Sequence, residues 1–309
     1  MSEQVLPVAH VVLATKSRPR ESYELLNVLA AQTLKPASVI VVGSEPADVA
    51  GLDRHELRAE GRMRVLLAPA PGATIQRNVG LNALAGELDR RDAFIVFFDD
   101  DFRPAPDWLR TCAEIFQASP EVAGVTGHVL ADGVGGPGIS EVEARAYLSG
   151  ETAPARHWSD VRQPRDVESL YGCNMAYRAS ICRSIRFDES LPLYAWQEDC
   201  DFSGQVRRMG RTIVDPACRG VHLGTKAGRT SGIKFGYSQI ANPLHIAGRR
   251  NMSWKRATRF VARALAANIV RSARRHELFD YRGRLRGNLV ALTDLMTGRC
   301  HPQRILSLH

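Results

Sequence analysis

Residues 93–101 read AFIVFFDDD, an unbroken apolar run that stops at three consecutive aspartates. So continuous an apolar stretch buries its strand, whereas Asp continues a strand poorly and neighbouring like charges repel. Asp99, Asp100 and Asp101 therefore need either the water of a solvated turn or a bound cation. Upstream, VAHVVLA (Val8 to Ala14) is a β-branched run, and Leu25, Leu26, Leu29 and Ala30 then recur at helical spacing. ASVIVVG and MRVLLA repeat the strand signal, and a helical pattern runs from Thr74 to Leu88. Strands alternating with helices of this length predict βαβ units and an α/β fold with a mostly parallel sheet. Ligands of such sheets bind beyond the carboxyl ends of the strands, where the aspartates fall.

The alternation continues through a helix over 106–118 and a strand over 122–128. Residues 131–168 are rich in Gly, Pro and polar side chains and read as a long loop that shapes a binding site. Order resumes at GCNMAYR, then ASICRSI, the helix EDCDFSGQVRRM, and the strands RTIVD and GVHLG; past Thr230 the chain becomes helical and basic. With 309 residues and 44% hydrophobic content there is material for a sizeable core. The net charge of +8 is local: between Arg249 and Arg286 twelve Arg or Lys face two acids, which leaves the remainder near −2. That distribution argues against nucleic acid as a ligand and for an anionic surface met by the C-terminal region. The six cysteines include no C-x-x-C pair and read as reduced thiols of a cytoplasmic protein. No signal peptide is expected from MSEQVLPVAHVVLATKSRP, and RFVARALAANIV, interrupted by Arg263, is too short to span a bilayer.

Three further stretches can carry chemistry, each with a plainer reading beside it. Asp99 and Asp101 point to one side of an extended strand, so they can share an ion, and a hard divalent cation wants carboxylate oxygens. In PGATIQRNVGLNALAGE, Gly72 and Thr74 mark a helix start with Arg77 and Asn78 in its first turns, which makes either an anion site or an ordinary amphipathic surface helix. In WQEDCDFSGQVRRMG, Glu198, Asp199 and Asp201 crowd the start of a helix. Capping explains them, and so does a catalytic base beside Trp196, whose flat apolar face suits a sugar. His222 either completes a metal shell or is a hydrogen-bonded structural histidine.

Taken in order, these stretches resemble the inverting family-two glycosyltransferases with the GT-A fold, over about Val8 to Leu308. The resemblance implies a Rossmann-like mostly parallel sheet flanked by helices, with a basic helical C-terminal extension. It implies a nucleotide-sugar-binding half over 1–130, an acceptor-binding and catalytic-base half over 131–230, and the extension over 231–309. ATKSRP matches the end of the family's first strand and places Thr15 and Arg18 near the nucleotide. VVGSEPAD offers Ser44, Glu45 and Asp48 where the family has an Asp pair, with Glu45 as the nucleoside contact. QRNVGLNALAGE matches the Arg-Asn helix of Arg77 and Asn78. FFDDDFRPAPDWL matches the DxD motif, implying Asp99 and Asp100 toward the nucleotide sugar and Asp99, Asp101 and His222 toward Mn2+ or Mg2+. YGCNMAYRAS is similar to the family's GGNMAFRR segment, with Tyr171 in place of the first Gly, and puts Asn174 on the acceptor side with Trp196 and Glu198. FDESLPLYAWQEDCDFSGQVRRMG resembles the segment whose Asp, here Asp199, is the general base. The donor implied is a nucleoside-diphosphate sugar, and the acceptor a glycan or lipid-linked glycan.

Two other functions compete: a sugar-nucleotide-forming nucleotidyltransferase, against which ATKSRPRES lacks a Gly-rich phosphate loop, and a non-enzymatic cation-stabilised binding module. In the tail, a helical wheel from Trp254 to His276 groups Trp254, Ala257, Val261, Leu265 and Ile269 on one side. Lys255, Arg256, Arg259, Arg263, Arg271 and Arg274 lie on the other. Such a helix packs on the body by its apolar face, or lies on the anionic inner face of the cell membrane and holds the protein there peripherally.

Overall fold

The computed structural model describes residues 5–226, 231–274 and 276–308, and the chain divides into two compact units. The first comprises Met1–Pro71, Ile75–Arg186 and Val206–Gly228; the second Gly72–Thr74, Phe187–Gln205 and Arg229–His309. A boundary at 230 lies outside the described residues, and a strand runs across residue 130.

In chain order the elements are β1 (Val8–Ala14), α1 (Pro19–Ala30), β2 (Ser38–Gly43), α2 (Glu56–Ala59), β3 (Met63–Leu67), α3 (Ala73–Ala83), β4 (Ala93–Asp99), β5 (Phe102–Pro104) and α4 (Trp108–Ala118). There follow β6 (Val122–Asp132), α5 (Glu141–Ser149), β7 (Arg165–Asp166), β8 (Asn174–Arg178), α6 (Ala179–Cys182), α7 (Glu198–Val206), β9 (Arg211–His222), α8 (Gly232–Gly248), α9 (Trp254–Ser272) and α10 (Tyr281–Met296). All the strands belong to the first unit and form one sheet in the order β3-β2-β1-β4-β8-β6-β9-β5, with β7 beside β9. The pairs β1/β2, β2/β3, β1/β4 and β6/β9 are parallel, and β8 enters antiparallel between β4 and β6. The expected α/β class and mostly parallel sheet are therefore present. β1 and β4 are apolar on both faces because both faces are covered: Val11, Val12, Leu13 and Phe94 through Phe97 are wholly buried.

Three local differences from the sequence reading have physical causes. The helix expected to Leu88 ends at Ala83, followed by a 3₁₀ turn over Ala85–Glu87; Gly86 is a poor helix residue there. RTIVD and GVHLG are one strand, β9, whose register against β6 jumps from Gly127↔Asp215 to His128↔Arg219. The bulge contains Pro216, which has no N–H for a ladder. Residues 131–168 are not one long loop, since they contain α5, opened by a capping box in which Ser140 and Glu143 each satisfy the other's backbone. The start of α5 is tied to the sheet by Arg103, which is 2% exposed. Its guanidinium donates to Glu141 (2.6 Å) and to the carbonyls of Asp100, Phe102 and Glu21.

In the second unit α8, α9 and α10 pack together. Gly236 and Gly287 let α8 and α10 meet backbone to backbone, since an added Cβ would fall 2.0 Å from the carbonyl oxygens of Arg284 and Ile233 respectively. At the three-helix centre Asn268 of α9 donates to Gln239 and Asn288, both at 2.7 Å, and Asn288 donates to Gly236 O. On α9, Ala257 and Ala264 are buried, Val261 and Leu265 are partly covered, and Trp254 and Ile269 at the two ends are 58% and 53% exposed. The packed face is thus narrower than the wheel suggested. Among the described residues no helix is long and apolar enough to cross a membrane.

The segment leading to α7 is pinned to α8. Asp188 accepts from His245 Nε2 (2.8 Å) and Ser190 N (3.0 Å) and pairs with Arg249 (3.1 Å). Burial works against its charge, but these partners win and hold the carboxyl well below its usual range. A depressed carboxylate contributes stability above its unfolded pKa of about 4 and loses it as pH falls through the folded value. Asp188→Asn is therefore expected to be less stable than the native chain near pH 7, with the gap shrinking steadily below about pH 4, as read by urea midpoints across that range. A gap independent of pH would assign the loss to packing.

Candidate active site

The three aspartates end β4 and are each met by a different cation. Arg77 of α3 donates to Asp99 Oδ1 at 2.8 Å and to Gly172 O at 3.2 Å. Arg18, just before α1, donates to Asp100 Oδ1 at 2.9 Å, lies 3.4 Å from Asp101 Oδ2, and also reaches Thr225 O. His222 at the end of β9 places Nε2 3.3 Å from Asp101 Oδ1. Asp100 and Asp101 are each 3% exposed, so the solvated-turn reading does not hold for them. Thr15 Oγ1 donates to Asp100 at 2.8 Å, and Thr225 N to Asp101 at 2.7 Å.

The electrostatics divide the trio. Burial pushes Asp99 and Asp100 up, against the pull of Arg77 and Arg18 respectively. Asp101 goes the other way: burial opposes its charge, but His222 above all, then Arg18 and the Thr225 N–H, hold it well below the ordinary carboxylate range. Asp101 is thus the carboxylate most committed to carrying charge.

Asp99, Asp101 and His222 offer ligand atoms that all lie within 4.8 Å of one another. Two carboxylate oxygens and an imidazole nitrogen are a donor set for a divalent cation such as Mn2+ or Mg2+. Behind it, His222 Nδ1 is 3.1 Å from Asp132 Oδ1, and Asp132 Oδ2 accepts from the Tyr171 hydroxyl at 2.6 Å. A carboxylate behind a ligating imidazole is the usual support of a metal-binding histidine. Burial opposes a charged His222, yet Asp101 and Asp132 outweigh it and raise its pKa to about 10. A divalent ion would take the place of the Nε2 proton, since a metal binds the neutral imidazole, and would share the same carboxylates. The residues fit the group.

The remaining donor-side residues divide by what they touch. Asp48 is spent on backbone and hydroxyl: it accepts from Ser17 N, Ser44 N, Ser44 Oγ and Glu45 N, at 2.7 to 3.0 Å. That locks the ends of β1 and β2 together and leaves the Glu45 side chain 68% exposed. Gln76, which sequence reasoning passed over within the Arg-Asn helix, donates to the carbonyls of Thr15 (2.7 Å) and Val42 (2.8 Å) and so sets α3 against both strand ends. Asn78 is 6% exposed. Asn174 is fully buried, and its carboxamide oxygen accepts from Thr126 Oγ1 and Gly127 N, which fastens β8 to β6.

In the second unit, Ala73 N and Thr74 Oγ1 at the start of α3 donate to the carbonyls of Leu193 and Leu191. The chain then takes positive φ at Leu193, Ala195 and Gln197, a concentration of strained backbone directly before Glu198 and Asp199. Asp201 is wholly buried and bonded by Asn251 (2.7 Å) and Gln205 (3.0 Å), a structural carboxylate. Asp199 is only partly covered, and Glu198 is 9% exposed. Trp196 contacts the rings of Phe235 and Phe260, and its carbonyl accepts from Asn242. Gln197 was also missed: the residue is 6% exposed, its carboxamide atoms are buried, and among the described residues neither its nitrogen nor its oxygen is bonded. Such a group can give one hydrogen bond to a hydroxyl-rich ligand and take another. Its side-chain type and its place before the acid pair were legible, but its burial was not.

Comparison with known proteins bears on this geometry. A family model described as glycosyl transferase family 2 matches residues 11–186, more than half of the chain. S. aureus TarS 1-349 in complex with UDP-GlcNAc is similar in structure, with a TM-score of 0.54 at 17% identity, covering 82% of this chain and 70% of that one. The mannosyltransferase PcManGT from Pyrobaculum calidifontis, in complex with GDP-Man and Mn2+, gives a TM-score of 0.53 at 17% identity, covering 98% and 86%. GalNAc-T7 with UDP, GalNAc and Mn2+ gives 0.54 at 13% identity, covering 94% of this chain and 58% of that one. No curated protein sequence matches the chain. The structural likenesses show a GT-A fold, and the family match carries the assignment: the chain is a glycosyltransferase and belongs to glycosyl transferase family 2.

Proposed function

We propose that the chain moves a sugar from a nucleoside-diphosphate sugar to a hydroxyl of a glycan or lipid-linked glycan, with inversion at the anomeric carbon. Family membership removes the nucleotidyltransferase and binding-module alternatives. The observation that carries the reading is the donor set of a partly exposed Asp99 with buried Asp101 and His222, gathered where β4 and β9 end. These residues hold Mn2+ or Mg2+, which when bound offsets the charge of a diphosphate leaving group. The complexes of TarS with UDP-GlcNAc and of PcManGT with GDP-Man and Mn2+ support such a donor and such an ion.

Thr15, Arg18, Arg77, Asn78 and Asp100 serve the nucleotide sugar, with Arg77 and Arg18 supplying positive charge, and Glu45 meets the nucleoside. Asp199 takes the proton of the acceptor hydroxyl as that oxygen bonds to the anomeric carbon and the bond from that carbon to the diphosphate oxygen breaks. Trp196 and Glu198 form the acceptor side, and Asn174 serves by holding β8 to β6. In this reading 1–130 is the donor half and 131–230 the acceptor half.

Exposed cations on α9 support a membrane-surface role for the 231–309 extension. Arg256 lies over the Phe260 ring and Arg271 donates to the Tyr281 hydroxyl, whereas Lys255, Arg259, Arg263 and Arg274 stay exposed. Each exposed Lys or Arg near anionic lipid contributes about 1 kcal/mol, and Trp254 supplies an interfacial anchor.

Three outcomes are expected. Asp101→Ala abolishes sugar transfer and metal-dependent binding of nucleoside diphosphate, read by a panel of nucleotide sugars and by titration calorimetry with Mn2+. Full activity in excess chelator overturns the metal assignment. Asp199→Asn lowers turnover on the order of 100- to 10,000-fold with donor binding intact; near-normal turnover gives the base role to another group. Anionic liposomes bind the chain and release it as salt rises, and replacing Lys255, Arg259 and Arg263 by Glu removes binding. Equal partitioning onto neutral vesicles, or none onto either, leaves α9 a packing role alone.

A further inference from the structure

The segment that precedes β8 presents an aromatic surface joined to the metal-ligand cluster. Trp158 is 44% exposed, a large apolar ring turned to solvent. Its ring lies 5.5 Å from His157 and 6.0 Å from Tyr171, and Tyr171 lies edge-on to His222 at 5.9 Å. His157 and Tyr171 also meet, at 5.5 Å. Four rings thus run without a break from an exposed indole to a residue of the Asp99–Asp101–His222 set.

The surface is held rigid from below. Ser159 is fully buried; its hydroxyl accepts from Val129 N at 2.9 Å and bonds His157 Nδ1 at 2.7 Å. Ala155 N donates to Leu130 O at 2.7 Å, so both sides of the segment are fastened to β6. Tyr171 is fixed by its hydroxyl bond to Asp132. Nothing in these bonds requires a tryptophan at 158, since none of them uses its ring. Holding an indole outward forgoes the gain of burying it, and its sequence neighbours Arg156, Asp160, Arg162 and Arg165 supply a polar rim of three cations and one carboxylate.

We propose that Trp158, flanked by His157 and Tyr171, is a sugar-binding shelf on which a pyranose ring packs its C–H face while its hydroxyls meet the polar rim. The proposal rests on the reading of Asp99, Asp101 and His222 as the site of the donor diphosphate. The ring is that of the donor sugar or of the acceptor's terminal sugar, and the test separates the two.

The chain has four tryptophans, so 5-fluorotryptophan labelling gives a short fluorine spectrum in which Trp158→Phe assigns one resonance. Mn2+ is expected to broaden that resonance, and failure to do so overturns the metal reading without touching the sugar test. The resonance is then followed with methyl glycosides of glucose, galactose, mannose, rhamnose and N-acetylglucosamine, and separately with UDP-, GDP- and dTDP-linked sugars. A shift with sugar nucleotides that the free nucleoside diphosphates do not cause identifies the donor sugar. A shift with a methyl glycoside identifies the acceptor. For whichever ligand responds, Trp158→Ala is expected to weaken binding roughly tenfold, with nucleoside diphosphate affinity unchanged. No shift with any of these sugars in a protein that binds nucleoside diphosphate, or equal weakening of nucleoside diphosphate by Trp158→Ala, overturns the shelf.

Discussion

Three adjacent carboxylates at the end of a buried strand set the terms for the whole first unit. Each is matched to a cation from a different part of the chain: Arg77 from α3, Arg18 from the turn after β1, and His222 from the end of β9. Two of the aspartates are almost wholly buried, and charges removed from water to that degree persist only when paired and hydrogen-bonded. The pairing therefore fixes where β1, α3 and β9 end relative to β4. In the same stroke it gathers donor groups suited to a divalent ion.

The neighbouring polar residues extend that logic outward. Asp48 spends its oxygens on the residues just after β1 and just after β2, Gln76 spans the carbonyls of Thr15 and Val42 at the same strand ends, and Arg103 locks the start of α5 to β5. Asp132 holds His222 from behind and takes the Tyr171 hydroxyl, which links the ion-binding set to the aromatic segment before β8. Only a few side chains are left to meet a substrate. Most of the polar residues near the strand ends keep backbone in position for them.

The second unit poses a different problem, that of presenting carboxylates at a helix start without burying all of them. Asp201 is enclosed and bonded by Asn251 and Gln205, while Asp199 remains partly open two residues away. Positive φ at Leu193, Ala195 and Gln197 is a backbone cost that the Asp188–His245 and Asn242–Trp196 bonds help to sustain. Strain held next to a candidate base is the expected signature of a preorganised site.

Much of this was legible in the residues themselves. β1, β2, β4 and α4 follow from apolar periodicity, and the resemblance of ATKSRP, QRNVG and FFDDD to glycosyltransferase segments agrees with the family found over residues 11–186. Local pattern carries that information because strand and helix periods are written in consecutive residues. The capping box of Ser140 and Glu143 was also written there, masked by the Gly- and Pro-rich residues before it. What tertiary structure alone decided is which polar groups are spent and which remain. His222 meets Asp101 from more than a hundred residues away, Asn174 is consumed by β6, Gln197 is buried with its carboxamide unbonded among the described residues, and Trp158 is held outward beside Tyr171. Burial and long-range hydrogen bonding arise from how distant segments stack, and no local window of sequence contains them.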